Sequence, residues 1–397
     1  MLHISKSPGI KGTAKKTAED FIVKEIIDTG TVLEKDKQYK AADLKEQETS
    51  DSKFTVFILQ KKNWNTIQAL TTIAKKVLRG KKSIGYAGVK DRRAITVQLA
   101  SIYGTSPEAL MRVHIKDISI NGAWLGKRVE LGSNIGNAFE VRIADCETPE
   151  NINRVLAELN GMMPNFFGEQ RFGIRGNNHE IGMHILRNEL EEAALAFLTS
   201  VENEKDNKAV AARNELKESM NFAKALNDFP RYLVPERIML SHLAKTNGDF
   251  AGALRSLPRG ILIMFIHAVQ AYIFNKELEH RIKNDDFEAS VHCGENFYGF
   301  PDVEKISANG KYPIAGIIGY DSKDINEYEK DLLAEMQISK ESFKIRSMPE
   351  LSMKGAYRPL LVNFKNEQHA IQGNNVIIRF ELPSGSYASV LLDEVIK

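Results

Sequence analysis

The sequence predicts an α+β protein in which helices pack on a sheet. Strand-like and helix-like segments follow one another without the strict alternation of a doubly wound parallel sheet. The pattern also changes along the chain, from short apolar segments before Gly173 to long helical ones after it, and back to strands after about Ser347. With 397 residues and 43% hydrophobic content, the chain is long enough for two or three domains with cores of their own.

Strands and helices of the first part follow from local patterns. Strand-like apolar segments occur at 21–27, 54–59, 84–89, 95–99, 118–124 and 139–143. Asn65 is a predicted helix N-cap, and apolar residues at helical spacing from 67 to 78 predict a helix that ends before Gly80. Another helix is expected from about 150 to 159. Residues 34–53 are polar and charge-dense, which indicates a mobile hairpin or loop.

Long helices are expected beyond Gly173. The clearest helical segments are 178–198, 208–226 and 258–283. The apolar stripe of the last is most simply explained as core packing. An acidic segment at 321–335 is expected to be helical and would repel phosphate. Near the end, alternating apolar residues precede a turn at 383–386, and we expect these final strands to rejoin the first sheet.

The charge pattern leaves room for a local basic groove. A formal net charge of +2 argues against a protein that binds polyanions through its overall charge. The basic residues nevertheless cluster, at Lys6, Lys11, Lys15, Lys16, Lys75, Lys76, Arg79, Lys81, Lys82, Lys90, Arg92 and Arg93. A single charge run is most often a solvated face, so any case for nucleic-acid binding depends on this clustering.

Several classes of protein are excluded by what the sequence lacks. Cys146 and Cys293 lie far apart without paired-ligand spacing, and His179 and His184 are five residues apart, so we expect no disulfide framework and no metal site. No Gly-rich phosphate loop follows a strand. The longest apolar run, around 261–266, is far too short to cross a membrane, and a cytoplasmic location is expected.

Asp91 is the residue that most needs an explanation. It lies where one predicted strand, 84–89, stops and another, 95–99, begins, and it is surrounded by cations and glycines. Strand ends are where protein scaffolds often carry catalytic groups. Taken alone, the segment is more typical of a turn aspartate that hydrogen-bonds to its own backbone among solvated arginines.

Two further segments suggest contacts with a nucleic acid. Residues 165–173 combine three aromatic rings, two amides and an arginine. If this segment is extended, Phe166 and Phe167 point to opposite sides, so one could join the core while the other stacks on a base. Two core phenylalanines beside a surface Arg171 are the plainer alternative. Residues 379–389 place hydroxyls and a glycine turn beside a strand and could receive phosphate or ribose oxygens, although alone they form an ordinary turn.

Together these segments resemble the TruD family of pseudouridine synthases, which isomerise uridine in RNA. The family patterns Gly-x-Lys-Asp, Asn-x-Phe-Gly-x-Gln-Arg-Phe-Gly and Leu-Pro-x-Gly-Ser-aromatic-Ala match residues 88–91, 165–173 and 382–388 in that order. Further agreement lies at Lys15, 19–25, 131–132, 136–139 and 271–275. The resemblance therefore spans nearly the whole chain.

The resemblance implies an architecture and a substrate. It implies a pseudouridine synthase catalytic domain with a mixed, mainly antiparallel sheet, interrupted by a helix-rich α+β insertion specific to the family. We expect the catalytic domain at 1–185 with 346–397 and the insertion at 186–345. The implied partner is tRNA, modified at uridine 13. No cofactor, no metal, no membrane and no obligate protein partner are implied.

The resemblance also assigns roles to residues. Asp91 is the catalytic nucleophile, Phe167 stacks on the target uracil, and Asn165 anchors Asp91 or the base. The cation beside Asp91 is expected to be Lys15 rather than Lys90, because adjacent side chains of an extended strand face opposite sides. A phenyl ring cannot accept a proton, so Asp91 or a water must remove the proton from carbon 5. Contacts with RNA are expected from Lys81, Lys82, Lys90, Arg92, Arg171, Arg379 and Ser386.

Two other functions stay open. A non-catalytic RNA-binding protein could use the same groove. A homologue without catalytic activity would be expected to lose the catalytic aspartate, however, and Asp91 is present. Another uridine-modifying enzyme is the second alternative. A methyltransferase usually needs a methyl-donor site or a reactive cysteine, and neither cysteine has such a context. A glycosylase would release free uracil, whereas an isomerase leaves the mass of the RNA unchanged.

Overall fold

The protein packs into two compact units. The computed structural model describes residues 1–45, 49, 51–246, 248–287 and 313–397. Among these residues, the first unit contains 1–165 and 361–397, and the second contains 166–287 and 313–360. The domain limits expected from the sequence, 1–185 with 346–397 and 186–345, stay a prediction.

Among the described residues, the first unit is built on a nine-stranded sheet. Its strands are β1 Thr13–Ala14, β2 Phe21–Ile26, β3 Phe54–Lys62, β4 Ile84–Tyr86, β5 Ile95–Tyr103, β6 Ile118–Gly126, β7 Gly136–Ala144, β12 Lys365–Gln372 and β13 Asn375–Pro383. The order is β12-β13-β7-β2-β5-β3-β6, with β1 on β7 and β4 on β5. Among the described strands of this sheet, only β2 and β5 pair in parallel, so the mixed, mainly antiparallel sheet is confirmed.

The last strands rejoin the first sheet, as expected. Strand β13 pairs antiparallel with β7 over eight residues, and Phe380 lies opposite Phe139. Their rings stack with centroids 5.2 Å apart. A small second sheet joins β8 Met162–Pro164 to β11 Leu361–Asn363. Residues from both ends of the chain thus form one core.

Helices of the first unit pack on this sheet. They are α1 Thr66–Lys76, α2 Pro107–Met111, α3 Asn151–Leu159 and α12 Ala388–Ile396. The predicted cap of α1 is confirmed, since Asn65 Oδ1 accepts hydrogen bonds from the Ile67 and Gln68 amides at 2.9 and 3.3 Å. Helix α1 ends slightly earlier than expected, because Leu78 adopts a left-handed conformation with φ 56°.

Residues 39–44, within the segment 34–53, are more ordered than the composition of that segment indicates. Tyr39 and Leu44 are buried, and they join an apolar cluster that includes Trp124. The Tyr39 amide donates a hydrogen bond to the Asn121 carbonyl at 2.8 Å. The expectation of a wholly mobile loop is therefore wrong for this part, because two apolar side chains suffice to attach it to the sheet.

The second unit is mostly helical. Its helices are α4 Asn178–Leu186, α5 Leu190–Thr199, α6 Asn207–Ser219, α7 Phe222–Asp228, α8 Val234–Thr246, α9 Phe250–Arg255, α10 Arg259–Asn284 and α11 Glu327–Glu335, and its hairpin pairs β9 Ile314–Ile317 with β10 Ala356–Pro359. Two expected long helices are each broken in two. The breaks coincide with left-handed residues, Asn188 with φ 64° and Met220 with φ 50°.

Helix α10 is the core helix of the second unit. Phe265, Val269 and Ile273 of its apolar stripe are fully buried, so the interpretation of this stripe as core is confirmed. Among the described residues, only α10 is long and apolar enough to cross a membrane, and 61% of its apolar window is buried inside the fold. Such burial is ordinary for the central helix of a helical core.

Candidate active site

Asp91 lies in the loop that connects β4 to β5. Because β2 and β5 run parallel, with Ile22 opposite Ile95, the starts of both strands lie at the same edge of the sheet. The segment before β2, which carries Lys15, therefore reaches the loop before β5, which carries Asp91. The topology thus brings together two residues that are 76 positions apart in the chain.

The ion pair expected between Lys15 and Asp91 is present. Lys15 Nζ lies 3.5 Å from Asp91 Oδ1, and the two side chains are 28% and 25% exposed. The same ammonium lies 3.6 Å from the ring centroid of Phe21, at the start of β2. An ammonium held between a carboxylate and an aromatic face has little freedom to move. The partly exposed carboxylate of Asp91 is thereby oriented while it stays accessible.

Lys90 points away from this pair and into the protein. Its ammonium lies 2.6 Å from Glu25 Oε2, and the two side chains are only 6% and 0% exposed. It also donates a hydrogen bond to Asn137 Oδ1 at 2.7 Å. The predicted divergence of neighbouring side chains is correct. The expected contact between Lys90 and RNA is wrong, because an ammonium neutralised by a buried carboxylate is not available to a phosphate.

Buried polar side chains fix the main chain just before Asp91. The Lys90 amide donates to Thr66 Oγ1 at 3.0 Å, and Gln98 Nε2 donates to the Gly88 carbonyl at 3.0 Å. Thr66 begins α1 and Gln98 lies within β5, and both are fully buried. These bonds replace strand pairing, so β4 ends at Tyr86 rather than at 89 as expected.

Lys61 is a candidate site residue that the sequence analysis missed. It lies on β3 and is fully buried, and its ammonium donates a hydrogen bond to the Asp91 carbonyl at 2.8 Å. Burial lowers the pKa of Lys61 from 10.5 to about 8, and the negative charge of Asp91 opposes this decrease. Its strand position is a signal that could have identified it, because alternation places Lys61 on the face of Phe57 and Leu59.

A groove with basic side chains lies beside β4 in the first unit. Lys81 and Lys82 are exposed on the short 3-10 turn Lys81–Ser83 that precedes β4. Together with Tyr86 and Arg128 they line a groove of about 390 Å³. Arg92, directly after Asp91, is also exposed. These cations have the exposure that contacts with phosphate require.

Three other predicted residues of the first unit occupy different environments. Arg379 is half exposed on β13, and its Nε lies 2.7 Å from Glu140 Oε2 on β7. Ser386 follows the turn in which Gly385 has φ 87°, and its buried hydroxyl has no hydrogen-bond partner among the described residues. Asn165 is fully buried directly after β8.

Phe167 lies in the second unit, where it packs among aromatic and cationic side chains. It is only 4% exposed, the Arg358 guanidinium lies 4.2 Å from its ring centroid, and that of Arg171 lies 5.2 Å away. The ring also meets the edge of Phe274, with centroids 5.5 Å apart. Asn275 brackets the main chain, since it accepts from the Phe167 amide at 2.8 Å and donates to the Phe167 carbonyl at 2.9 Å.

Arg358 and Asn275 were not singled out as site residues from the sequence. Arg358 is a fully buried arginine on a strand, an unusual position that signals a specific partner. Asn275 closes the 271–275 segment, which contributed to the family resemblance. As for metals, the described part of the chain contains no group of three or more His, Cys, Asp or Glu side chains placed to hold an ion. Cys146 is buried, and Cys293 lies outside the described residues.

Comparison with known proteins decides the family. The family described as tRNA pseudouridine synthase D (TruD) matches residues 1–297 and 300–395. The chain belongs to the TruD family. Pseudouridine synthases of tRNA are isomerases, so the enzyme class expected from the motifs is confirmed.

TruD relatives and a solved TruD structure match along the whole chain. A "Probable tRNA pseudouridine synthase D" of Methanococcoides burtonii is 32% identical and aligns over 100% of this chain and 95% of its own length. One of Pyrococcus furiosus is 34% identical, with 100% and 98% covered. The crystal structure of the Methanosarcina mazei TruD protein has a TM-score of 0.74 at 29% identity, covering 100% of this chain and 96% of that one. The α+β TruD architecture is confirmed.

Proposed function

We propose that this protein isomerises uridine to pseudouridine in tRNA, with Asp91 as the nucleophile and uridine 13 as the target. The observation that carries the proposal is the Lys15–Asp91 ion pair at 3.5 Å in a chain of the TruD family. The pair lies where the central strands β2 and β5 begin. The choice of uridine 13 comes from the family resemblance alone.

The chemistry needs one ionised, well-oriented carboxylate. The bond between N1 of uracil and C1′ of ribose breaks, the base turns, and a bond forms between carbon 5 and C1′. The proton on carbon 5 leaves, and N1 gains one, so atoms and charge balance without oxidation or hydrolysis. Asp91 can start this sequence by adding to the base or to the ribose as a nucleophile, or by assisting elimination at the sugar. When its carboxylate is regenerated, Asp91 or a water accepts the carbon 5 proton.

Aromatic and amide groups are proposed to hold the base. Stacking on the ring of Phe167 would contribute about 1 to 3 kcal/mol. Because that side chain is only 4% exposed, the role requires that RNA binding opens one face of the ring. Arg358 and Arg171 would keep the ring oriented. Asn165 is proposed to anchor Asp91 or the base through its amide.

Exposed cations are proposed to bind the RNA backbone. Lys81, Lys82 and Arg92 are exposed. Arg379 is also exposed, but its guanidinium pairs with Glu140. Phosphate contacts of this kind position an RNA without reading its sequence. The target uridine must also leave its stack, which costs a few kcal/mol that these contacts and base stacking offset. A cytoplasmic location and the lack of an obligate protein partner stay predictions.

The direct test is to incubate the protein with a tRNA transcript and map pseudouridine by chemical labelling. The proposal predicts pseudouridine at position 13 and no free uracil. Release of uracil would identify a glycosylase. Tight binding of tRNA without any change in the RNA would favour the non-catalytic RNA-binding alternative. Pseudouridine at another position would retain the reaction and reject only the assignment of uridine 13.

A further inference from the structure

Lys61 is a buried charge inside the sheet that carries the proposed active site. It lies on β3 opposite Thr96 of β5, and its side chain is fully buried. The structure gives its ammonium a hydrogen bond of 2.8 Å to the Asp91 carbonyl. Among the described residues, it forms no ion pair with a carboxylate.

Such a lysine is unfavourable for stability. An ammonium that leaves water loses solvation, and replacing a buried charge by an apolar side chain of similar size is often neutral or stabilising. Lys90, the other buried lysine here, differs because Glu25 neutralises it at 2.6 Å. The sheet itself therefore does not need a charge at Lys61. A buried ionisable group that costs stability beside a reactive carboxylate is typical of a functional site.

We infer that Lys61 is a positioning residue for Asp91, holding its main chain so that the carboxylate points toward the substrate. This inference rests on the proposed function. The hydrogen bond to the carbonyl restricts the peptide plane after Asp91. Lys15, whose side chain is 28% exposed, pairs with the carboxylate of Asp91 on the side that solvent reaches. Lys61 binds the main-chain carbonyl of Asp91 from inside the sheet.

The test compares Lys61→Met with Lys62→Met. Methionine has a similar length without charge. Lys62 is the next residue of β3, but it is partly exposed and pairs with Glu19 instead of reaching Asp91. Misplacing a reactive group by about 1 Å can cost about 100-fold in rate. We expect Lys61→Met to lower the single-turnover rate of pseudouridine formation by about that factor, with tRNA affinity preserved and the melting temperature unchanged or higher. Lys62→Met should stay within about threefold of wild type.

A second variant separates the hydrogen bond from fold stability. Lys61→Gln keeps a donor for the Asp91 carbonyl and should react at least about tenfold faster than Lys61→Met. If Lys61→Met does not fold, the single-turnover rate of Lys61→Gln is compared with the wild-type rate instead. The inference is overturned if the single-turnover rate of Lys61→Met is within about threefold of the wild-type rate. It is also overturned if the fraction of the rate that Lys61→Met loses equals the fraction of this variant that thermal denaturation shows to be unfolded.

The parallel variant Asp91→Asn keeps this inference distinct from the proposed function. If Asp91→Asn is inactive and Lys61→Met is fully active, only the role of Lys61 is lost. If Asp91→Asn is active, the assignment of the nucleophile itself is wrong, whatever Lys61→Met does.

Discussion

At the scale of single residues, three lysines surround the Asp91 loop and each has a different environment. Lys15 pairs with the carboxylate at 3.5 Å and remains partly exposed. Lys90 pairs with Glu25 inside the protein. Lys61 donates to the Asp91 carbonyl. The positive charge near Asp91 is thus divided between orienting the carboxylate, anchoring the loop and fixing the main chain.

The burial of Lys61 predicts a pH dependence of stability. Burial lowers its pKa from 10.5 to about 8 in the folded protein, so between these values the unfolded chain holds a proton that the folded protein has released. The free energy of unfolding therefore rises with pH between about 8 and 10.5. The same contribution disappears as the pH falls back toward 8. Relative to Lys61→Met, the wild type should gain up to about 3 kcal/mol of unfolding free energy. Urea denaturation of both proteins from pH 7 to 10.5 measures this, and a constant difference would contradict it.

The role of Phe167 is also a question about one residue. Phe167→Leu keeps apolar volume but removes the aromatic face, so we expect a stability loss below about 1.5 kcal/mol. If the ring stacks on uracil, the decrease in kcat/KM should correspond to a loss of about 1 to 3 kcal/mol of transition-state stabilisation. Phe274→Leu is the matched control, because Phe274 is a fully buried ring of the same aromatic cluster that packs edge-to-face with Phe167. Equal effects of the two variants in thermal unfolding and single-turnover kinetics would show that Phe167 is core filler.

At the scale of elements, the turn Lys81–Ser83 presents two exposed lysines that line a groove of the first unit. Replacing Lys81 and Lys82 with alanine should reduce the slope of log affinity against log salt by about 1 to 2, at about 0.9 per lost phosphate contact on duplex and about 0.7 on single strands. Filter binding of tRNA across a salt series measures the slope.

The matched control for this turn is a double replacement of Lys323 and Lys330. Both are exposed, and they belong to the acidic segment around α11 that should repel phosphate. Their removal should leave the salt slope unchanged. If the Lys81 and Lys82 variant also keeps the wild-type slope, the turn is a solvated surface that RNA does not meet.

Elements with local signals were predictable, and those fixed by packing were not. Asn65 caps α1 because its side chain bonds amides only two and three residues away. The breaks at Asn188 and Met220 were missed because each depends on one left-handed residue within sequence that is otherwise helical. The single parallel pair of β2 with β5 was also beyond local patterns, since it joins segments more than 70 residues apart.

At the scale of the molecule, long motifs predicted the family and most of the candidate site, whereas tertiary contacts supplied the rest. Asp91 and Lys15 could be selected from motifs and strand alternation. Lys90 was wrongly expected to face RNA, because its partner Glu25 lies 65 residues earlier. Strand alternation marks Lys61 as a buried residue, but its contact with Asp91 could not be predicted, because the partner is a main-chain carbonyl that leaves no trace in residue type.

The central claim is that Asp91 is the nucleophile, and Asp91→Asn tests it most directly. The amide keeps the shape of the side chain but cannot attack. Single-turnover formation of pseudouridine in tRNA should be measured beside a binding isotherm for the same variant. We expect no detectable isomerisation by this variant, with tRNA affinity within a few fold of wild type. Turnover by Asp91→Asn at a rate near that of wild type would contradict it.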